Sequence, residues 1–316
     1  MDEATFQSCL LDNHRELAQY QPLFTKAQFL VPFIYHKGIR SRAVKLFPLL
    51  SNIFSERKHY FRGRSWQDTL YIGNVLDSAS LSWTRSPQLQ GNTLQQLHRL
   101  LGNATRPCYV DVGANGGLYC SNIGRLLAGR GQVIGFEANP ELAKLAAATA
   151  ALNRLENVGI FAIAASESEG TLKFNIVPDR STSSSVLYDH LLRECGGNRD
   201  KIKQIEVPCI KLDERLPNLP AIRQADKIVF KVDVEGHELS VFKGSAEFIR
   251  SRCPTIFFEW NSNCATPGGE TLDTMVGFLS SLCKYKFSAF RDAGDDVGFP
   301  PPRNAPPLNI IAELGS

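Results

Sequence analysis

The chain has 316 residues, of which 43% are hydrophobic and 21% charged, and carries a net charge of +3 at pH 7. This composition suits a globular protein with a sizeable core and excludes disorder over most of the chain. No apolar run reaches the roughly 18 residues that cross a bilayer, and the length fits one large domain or one domain with an appendage.

The charge is unevenly spread. Residues 24–66 hold nine Lys/Arg against one acidic residue, Glu56, a local net of +8 that leaves −5 for the rest. Phe24, Phe29, Tyr35 and Trp66 are among the aromatics interleaved with these positive charges. Residues 1–90 are therefore expected to form a basic and aromatic N-terminal appendage, largely helical, before a mildly acidic body at 91–316. Such an appendage either covers a substrate or a dimer face, or meets an anionic membrane or nucleic acid. No nucleic-acid motif is recognised, so nucleic acid is not expected as a partner, while peripheral membrane contact stays open. The start, Met-Asp-Glu, lacks the basic-then-apolar pattern of a secretory leader. The eight cysteines, Cys9, Cys108, Cys120, Cys195, Cys209, Cys253, Cys264 and Cys283, contain no C-x-x-C pair. A cytoplasmic protein with reduced thiols is expected.

Regular patterning begins at Asn92, the expected cap of a helix whose Leu94, Leu97 and Leu101 share one face and which Gly102 ends. The apolar run Cys108–Val112 reads as a buried strand, followed by a helix at 117–128, a strand at 132–137 and a helix at 140–153. More strands are predicted at 159–164, 171–176, 207–212, 228–234 and 255–259, with helices at 238–249 and 272–282. A strand at 285–291, a Pro-rich loop at 299–307 and a strand at 308–313 follow. Strands alternating with helices imply βαβ units and a doubly wound, mostly parallel α/β sheet. Ligands on such sheets bind beyond the carboxyl ends of the strands, so chemistry is expected just after each strand.

The strand ends are informative. After the first comes Asp111-Val112-Gly113-Ala114-Asn115-Gly116-Gly117, a G-x-x-G-G turn and not the G-x-G-x-x-G that seats a pyrophosphate. Taken alone it is also an ordinary strand-to-helix turn. After the second comes Glu137, 20 residues beyond Gly117, where an acid accepts hydrogen bonds from ribose hydroxyls. Together the two features predict a site for a nucleoside without phosphates. Lys231-Val232-Asp233-Val234-Glu235-Gly236-His237-Glu238 packs five ionisable groups beside a buried strand. In extended backbone Lys231, Asp233 and Glu235 point one way. Such density marks either a salt-bridged strand terminus or a used site. Glu259, after the strand at 255–259, faces the same cleft edge, next to Trp260.

These segments resemble the FkbM family of S-adenosylmethionine-dependent methyltransferases. V-D-V-G-A-N-G-G at 110–117, F-E-A-N-P at 136–140 and K-V-D-V-E-G-H-E at 231–238 carry the resemblance. Ala164-Ala165-Ser166, Ser184-Ser185 and Lys211-Leu212-Asp213 add to it, over residues 92–290 or so. Ala138 and Cys120 depart from the usual family residues, and residues 1–90 have no counterpart.

The resemblance implies a Rossmann-like class I methyltransferase fold, S-adenosylmethionine as cofactor and O-methylation of a hydroxyl-bearing small molecule or glycan. Methyl transfer by in-line displacement is then expected. The implied cofactor-binding residues are Asp111, Gly113, Asn115, Gly117, Glu137, Ala164, Ser166 and Asp233. Asp233 is the first candidate for the base, with His237 and Glu259 behind it. No metal is assigned, although Asp233, Glu235, His237 and Glu259 are donors that a hard divalent cation could use. A nicotinamide oxidoreductase shares the fold class but lacks its phosphate turn here, and a non-catalytic module using the basic segment is the other alternative. The acceptor's identity and the oligomeric state are not legible.

Overall fold

A computed structural model describes residues 2–20, 60–74, 77, 80, 91–178, 184–262, 271–291, 297–302 and 307–315. Most of the basic segment 24–66 and part of the Pro-rich loop 299–307 lie outside the described residues. Two short helices, α1 (Glu3–Ser8) and α2 (Asn13–Tyr20), come first. A hairpin follows, β1 (Tyr60–Arg64) with β2 (Leu70–Asn74), and then α3 (Gly91–Leu101). Asn92 therefore lies inside the first turn of α3 and not at its cap.

The body runs β3 (Pro107–Val112), α4 (Leu118–Leu127), β4 (Gln132–Phe136), α5 (Pro140–Leu152) and β5 (Val158–Phe161). Next come β6 (Ala164–Ala165), β7 (Gly170–Ile176), α6 (Tyr188–Glu194) and β8 (Lys203–Ile210). The chain continues through α7 (Pro220–Gln224), β9 (Lys227–Val232), α8 (Glu238–Lys243), α9 (Ala246–Arg252) and β10 (Thr255–Trp260). It closes with α10 (Leu272–Leu282), β11 (Tyr285–Phe290) and β12 (Leu308–Leu314). Among the described residues no helix is long and apolar enough to cross a membrane.

Seven strands form the main sheet in the order β11-β12-β10-β9-β3-β4-β5. The run from β10 to β5 is parallel, and β12 is antiparallel to both its neighbours. This is the Rossmann-like class I methyltransferase arrangement. The central strands are apolar on both faces because helices cover both. Val110, Val112, Phe230, Val232 and Phe258 enter one core. Tyr109, Val229 and Phe257 enter the other, with the leucines of α3 and the alanines of α5.

Several expected elements are redrawn. The strand expected at 159–164 ends at Phe161, and Ala164–Ala165 pairs elsewhere, in a separate sheet of order β6-β8-β7. The strands expected at 171–176 and 207–212 join that small sheet, where β7 and β8 run antiparallel. The helix expected at 238–249 is two, broken at Gly244 and Ser245. A Cβ on Gly244 would stand 1.9 Å from the Ser166 carbonyl oxygen, so the chain needs glycine there and turns. The reduced-thiol expectation is also corrected at two positions. Cys253, just after α9, and Cys283, just after α10, form a disulfide, because α9 and α10 pack side by side and bring their ends together. Cys9, Cys108, Cys120, Cys195 and Cys209 are free.

The described part of the N-terminal region packs on the body. Phe6 is buried, stacks on Phe161 at 4.7 Å and lies under the Arg215 guanidinium. The Leu11 N–H donates to Ile160 O and the Ala162 N–H to Cys9 O, so this segment covers the outer edge of β5. Helix α5 is buried on both sides, which is why six of its 13 residues are alanine. Ala146 and Ala147 face the sheet, while Leu145 and Ala148 meet Tyr20, Tyr60 and Ile72.

Candidate active site

Three strand ends build the site. Asp111 of β3 pairs in register with Lys231 of the parallel strand β9, so their side chains leave the same face. Lys231 Nζ lies 3.3 Å from Asp111 Oδ1 and 3.0 Å from Asp233 Oδ2. It also sits 4.9 Å from the centre of the Tyr119 ring. Two carboxylates hold the ammonium up, above the usual lysine range, against a burial that opposes charge. Asp111 is fully buried and accepts a hydrogen bond from the Cys120 thiol at 3.3 Å. Burial raises its carboxyl, and Lys231 pulls it back down.

The G-x-x-G-G turn is locked to its neighbours. Gly113 N–H and Ala114 N–H donate to Phe136 O, and Asp233 N–H donates to Val112 O. Gly113 has φ +87°, and a Cβ there would stand 1.9 Å from Asp233 O. Only glycine lets the β3 and β9 ends approach this closely. Glu137 accepts from the Asn115 N–H at 2.7 Å and from the Asn139 N–H at 2.8 Å. Burial still dominates and pushes its carboxyl up to about 7.

A cavity opens over these ends. It is lined by Gly113, Asn115, Glu137, Ala164, Asp233 and His237 among the sequence-predicted residues. The others sit around it. Asp111 is buried beneath it, and Gly117 precedes α4 at a position where a Cβ would stand 2.7 Å from the Ala146 Cα. Ser166 stands behind His237, its Oγ 3.0 Å from the imidazole Nε2. Burial lowers the His237 pKa, which favours a neutral ring. Glu259 is outside the lining but meets Asp233 and Glu235, the three offering carboxylate oxygens within 4.8 Å of one another. These are oxygen donors that suit a positive charge. His237 does not join them, and no metal is assigned.

Sequence reasoning missed several lining residues. Tyr119 and Leu118 come from the start of α4, and Leu172, Phe174 and Val186 make an apolar wall. Ser184 lies in the same wall, and its Oγ is buried with no hydrogen-bond partner among the described residues. The S-T-S-S-S run was the available signal. Glu235 was legible in the charged segment as a residue but not as a lining one. The strand stops at Val232, and Glu235 takes φ +54°, so it is not the extended residue that alternation predicted.

The lining fits S-adenosylmethionine on three counts. Glu137 offers lone pairs to ribose hydroxyls, the apolar wall suits a base, and the acids at the other end suit a sulfonium. Ser184 Oγ is a buried polar atom left for a ligand to satisfy. A pyrophosphate fits poorly, because Lys231, the cation in the described lining, is already taken up by Asp111 and Asp233.

Comparison with known proteins agrees. The profile of the Methyltransferase FkbM domain matches residues 111–288, more than half of the chain. Among solved structures, the chain is similar to the methyltransferase FkbM of Methylobacillus flagellatus KT. Identity is 16%, the TM-score is 0.45, and the match covers 74% of this chain and 52% of that one. The chain thus spans about half the length of that protein. A SAM-dependent methyltransferase of Aquifex aeolicus matches at 11% identity and a TM-score of 0.38, covering 73% of this chain and 94% of that one. No curated protein sequence matches. With the domain profile laid over the glycine turn, Glu137 and the acidic strand end, the chain belongs to the FkbM family of S-adenosylmethionine-dependent methyltransferases.

Proposed function

We propose that the protein transfers the methyl group of S-adenosylmethionine to a hydroxyl oxygen of a sugar, a glycan or a secondary metabolite. One observation carries the choice of oxygen: Asp233, Glu235 and Glu259 converge within 4.8 Å beside the cofactor cavity. A hydroxyl becomes a good nucleophile only when its proton has a destination, and a positioned base is typically worth about 10²–10⁴ in rate.

The bound cofactor supplies a methyl group on a positively charged sulfur. The chain's residues bind and align. Glu137 takes the ribose, and the Gly113–Asn115 backbone takes the methionine end above the buried Asp111–Lys231 pair. Ala164 and the apolar wall take the base, and Ser166 holds His237 in place behind it. Such alignment contributes up to about 7–11 kcal/mol of barrier reduction in ideal cases. Asp233, tied to Lys231, stands where the acceptor proton must go, with Glu259 and His237 near it.

A second cavity borders the first, sharing Asn115, Leu142 and Ser184 with it. Tyr60, Asn74, Asp77 and Ser80 line its other side. These four precede the residues matched by the family profile, and in this reading they shape acceptor choice.

The test is incubation with methyl-labelled S-adenosylmethionine and a panel of monosaccharides, oligosaccharides and hydroxylated polyketides. Label should appear as an ether methyl group. Label confined to nitrogen or carbon, or none in any acceptor class, would overturn the oxygen assignment. The non-catalytic alternative predicts polyanion binding that weakens steeply with salt and needs no cofactor.

A further inference from the structure

The apolar wall of the cofactor cavity is one packed group. Ala164 and Phe174 are buried in it, and Ala138, Leu172 and Val186 pack against the same cluster. All five line the cavity. Ala138 directly follows Glu137, so the wall begins where the ribose is held. In a nucleoside the base and the 5′ substituent leave the sugar on different sides. With the hydroxyls at Glu137 and the 5′ sulfur toward the acids, the base is left to the wall.

A purine has apolar faces and polar edges. The wall suits the faces, but an edge atom taken out of water needs a hydrogen-bond partner. Ala164 and Ala165, the residues of β6 in the lining, present only methyl groups. The hydroxyl in this wall is that of Ser184. Its Oγ is buried and has no hydrogen-bond partner among the described residues. A bare hydroxyl costs free energy in the free chain that a ligand regains on binding. Ser184 also lines the second cavity. It therefore stands at the margin of the first, where the edge of a base arrives and not its face.

The residue after it is pinned from two elements. The Ser185 N–H donates to Asn175 O at 3.0 Å, and the Asn175 N–H donates to Ser185 O at 2.9 Å, which ties the loop to β7. The Asn175 side-chain amide donates to Val186 O at 3.2 Å. On the other side the Ser185 hydroxyl donates to Glu235 O at 2.6 Å, in the turn after β9. Ser185 and Asn175 are both buried. These bonds hold Ser184 in place and leave its own hydroxyl unused.

We propose that the Ser184 hydroxyl oxygen accepts a hydrogen bond from the 6-amino group of the cofactor's adenine and so selects a base that carries this group. The inference rests on S-adenosylmethionine occupying this cavity. It concerns recognition alone, and the methyl acceptor plays no part in it.

The test reads binding, without turnover. The probes are S-adenosylhomocysteine, the thioether that methyl transfer leaves, and its 6-deamino analogue, which has hydrogen in place of the amino group. Each is titrated calorimetrically into the full chain and into Ser184→Ala. One neutral hydrogen bond corresponds to about tenfold in affinity. The unaltered protein should therefore bind the adenine ligand about tenfold more tightly than the deamino ligand. Ser184→Ala should lose about tenfold for the adenine ligand and hold the two ligands within about twofold of each other. Urea unfolding without ligand separates recognition from folding. Because the hydroxyl is unused in the free chain, Ser184→Ala should unfold at the same urea concentration or a higher one, whereas a side chain that holds the loop together would lower it. Unchanged affinity of Ser184→Ala for S-adenosylhomocysteine would overturn the inference and leave the methyltransferase reading intact. An equal loss for both ligands, or a lowered urea midpoint, would overturn it as well. Failure of S-adenosylhomocysteine to bind the unaltered protein would overturn the cofactor reading along with it.

Discussion

Replacing Lys231 by Met tests the charge arrangement beneath the cofactor turn. Lys231 is 2% exposed, and Asp111 is fully buried while the Asp233 side chain is 29% exposed. Met keeps an unbranched apolar chain of similar length, so lost packing contributes little. The main effect is a buried Asp111 with the Cys120 thiol but no cation. Removing one partner of a buried ion pair typically costs about 3–5 kcal/mol, a large part of the 5–15 kcal/mol that holds a typical domain folded. Asp233 escapes most of this, because water reaches it. The pH dependence identifies the cause. Burial already raises the Asp111 carboxyl, and losing Lys231 raises it further. Between the unfolded value near 3.9 and the folded one, the native state binds a proton that the unfolded state has released. Stability therefore falls as pH rises through that window, by up to about 1.4 kcal/mol per pH unit, and is flat above it. Urea unfolding of both proteins between pH 4.5 and 8 should show a small loss near pH 4.5 that grows to the full value by pH 8. Adding Asp111→Asn to Lys231→Met should recover most of the loss at pH 8. A loss below about 1 kcal/mol, or one equal at both ends of the range, would refute the argument.

Other expectations follow from single residues. Glu137, pushed up to about 7, should lose its charge as pH falls below neutrality, so in its proposed ribose-binding role cofactor affinity measured by calorimetry should drop from pH 8 to pH 6. Affinity independent of pH over that range would count against it. The same raised value makes the wild type lose about 3 kcal/mol of stability as pH rises from 4.5 to 7, a slope that Glu137→Gln should flatten in denaturant titrations. Gly113→Ala forces a Cβ onto the Asp233 carbonyl oxygen at φ +87°. It should weaken S-adenosylmethionine binding by at least about 100-fold, since the β3 and β9 ends must part by tenths of an ångström or more. Binding within tenfold of wild type would refute the close-approach reading. The His237 ring should remain neutral at pH 6.5 by NMR, and an imidazolium signal at pH 7 would show that burial does not govern it.

Much of the fold was legible because apolar runs and strand ends carry their own signal. Asp111 is the penultimate residue of β3 and Glu137 directly follows β4, so short apolar runs marked both positions. The small β6-β8-β7 sheet was not legible, since alternation in Gly170–Ile176 names a strand without naming its partner. The break at Gly244 was hidden because the apolar period continues across it from Phe242 to Ile249. It depends on a contact with Ser166 far away in sequence. The Cys253–Cys283 disulfide likewise depends on α9 lying beside α10. Around the site, residue types were readable and backbone hand was not. Period two pointed Glu235 in the same direction as Asp233, whereas a left-handed turn carries it to its place. Ser184 reaches the cavity from a loop whose path no local pattern specifies.

The segment from Lys231 to Glu238 shows why so many charges can stand at one strand end. Within the strand, alternation puts Lys231 opposite Asp111, and the Lys231 ammonium reaches on to Asp233. This pairing neutralises the buried part of the group. Past Val232 the ladder ends, and Glu238 turns back to accept the Val234 and Gly236 N–H groups. That satisfies the donors the lost strand would have left bare. Between these two anchored stretches stands Glu235, where the described charges that act on it most, Glu259, Asp233, Glu238 and Glu194, are acids. Acidic charge therefore gathers beside the proposed cofactor cavity. A ligand with a positive sulfur relieves it and a ligand without one does not. Preference for the sulfonium over the thioether should accordingly fall when Glu235 is replaced by glutamine, and a preference unchanged in that variant would break this link between the strand end and the cofactor.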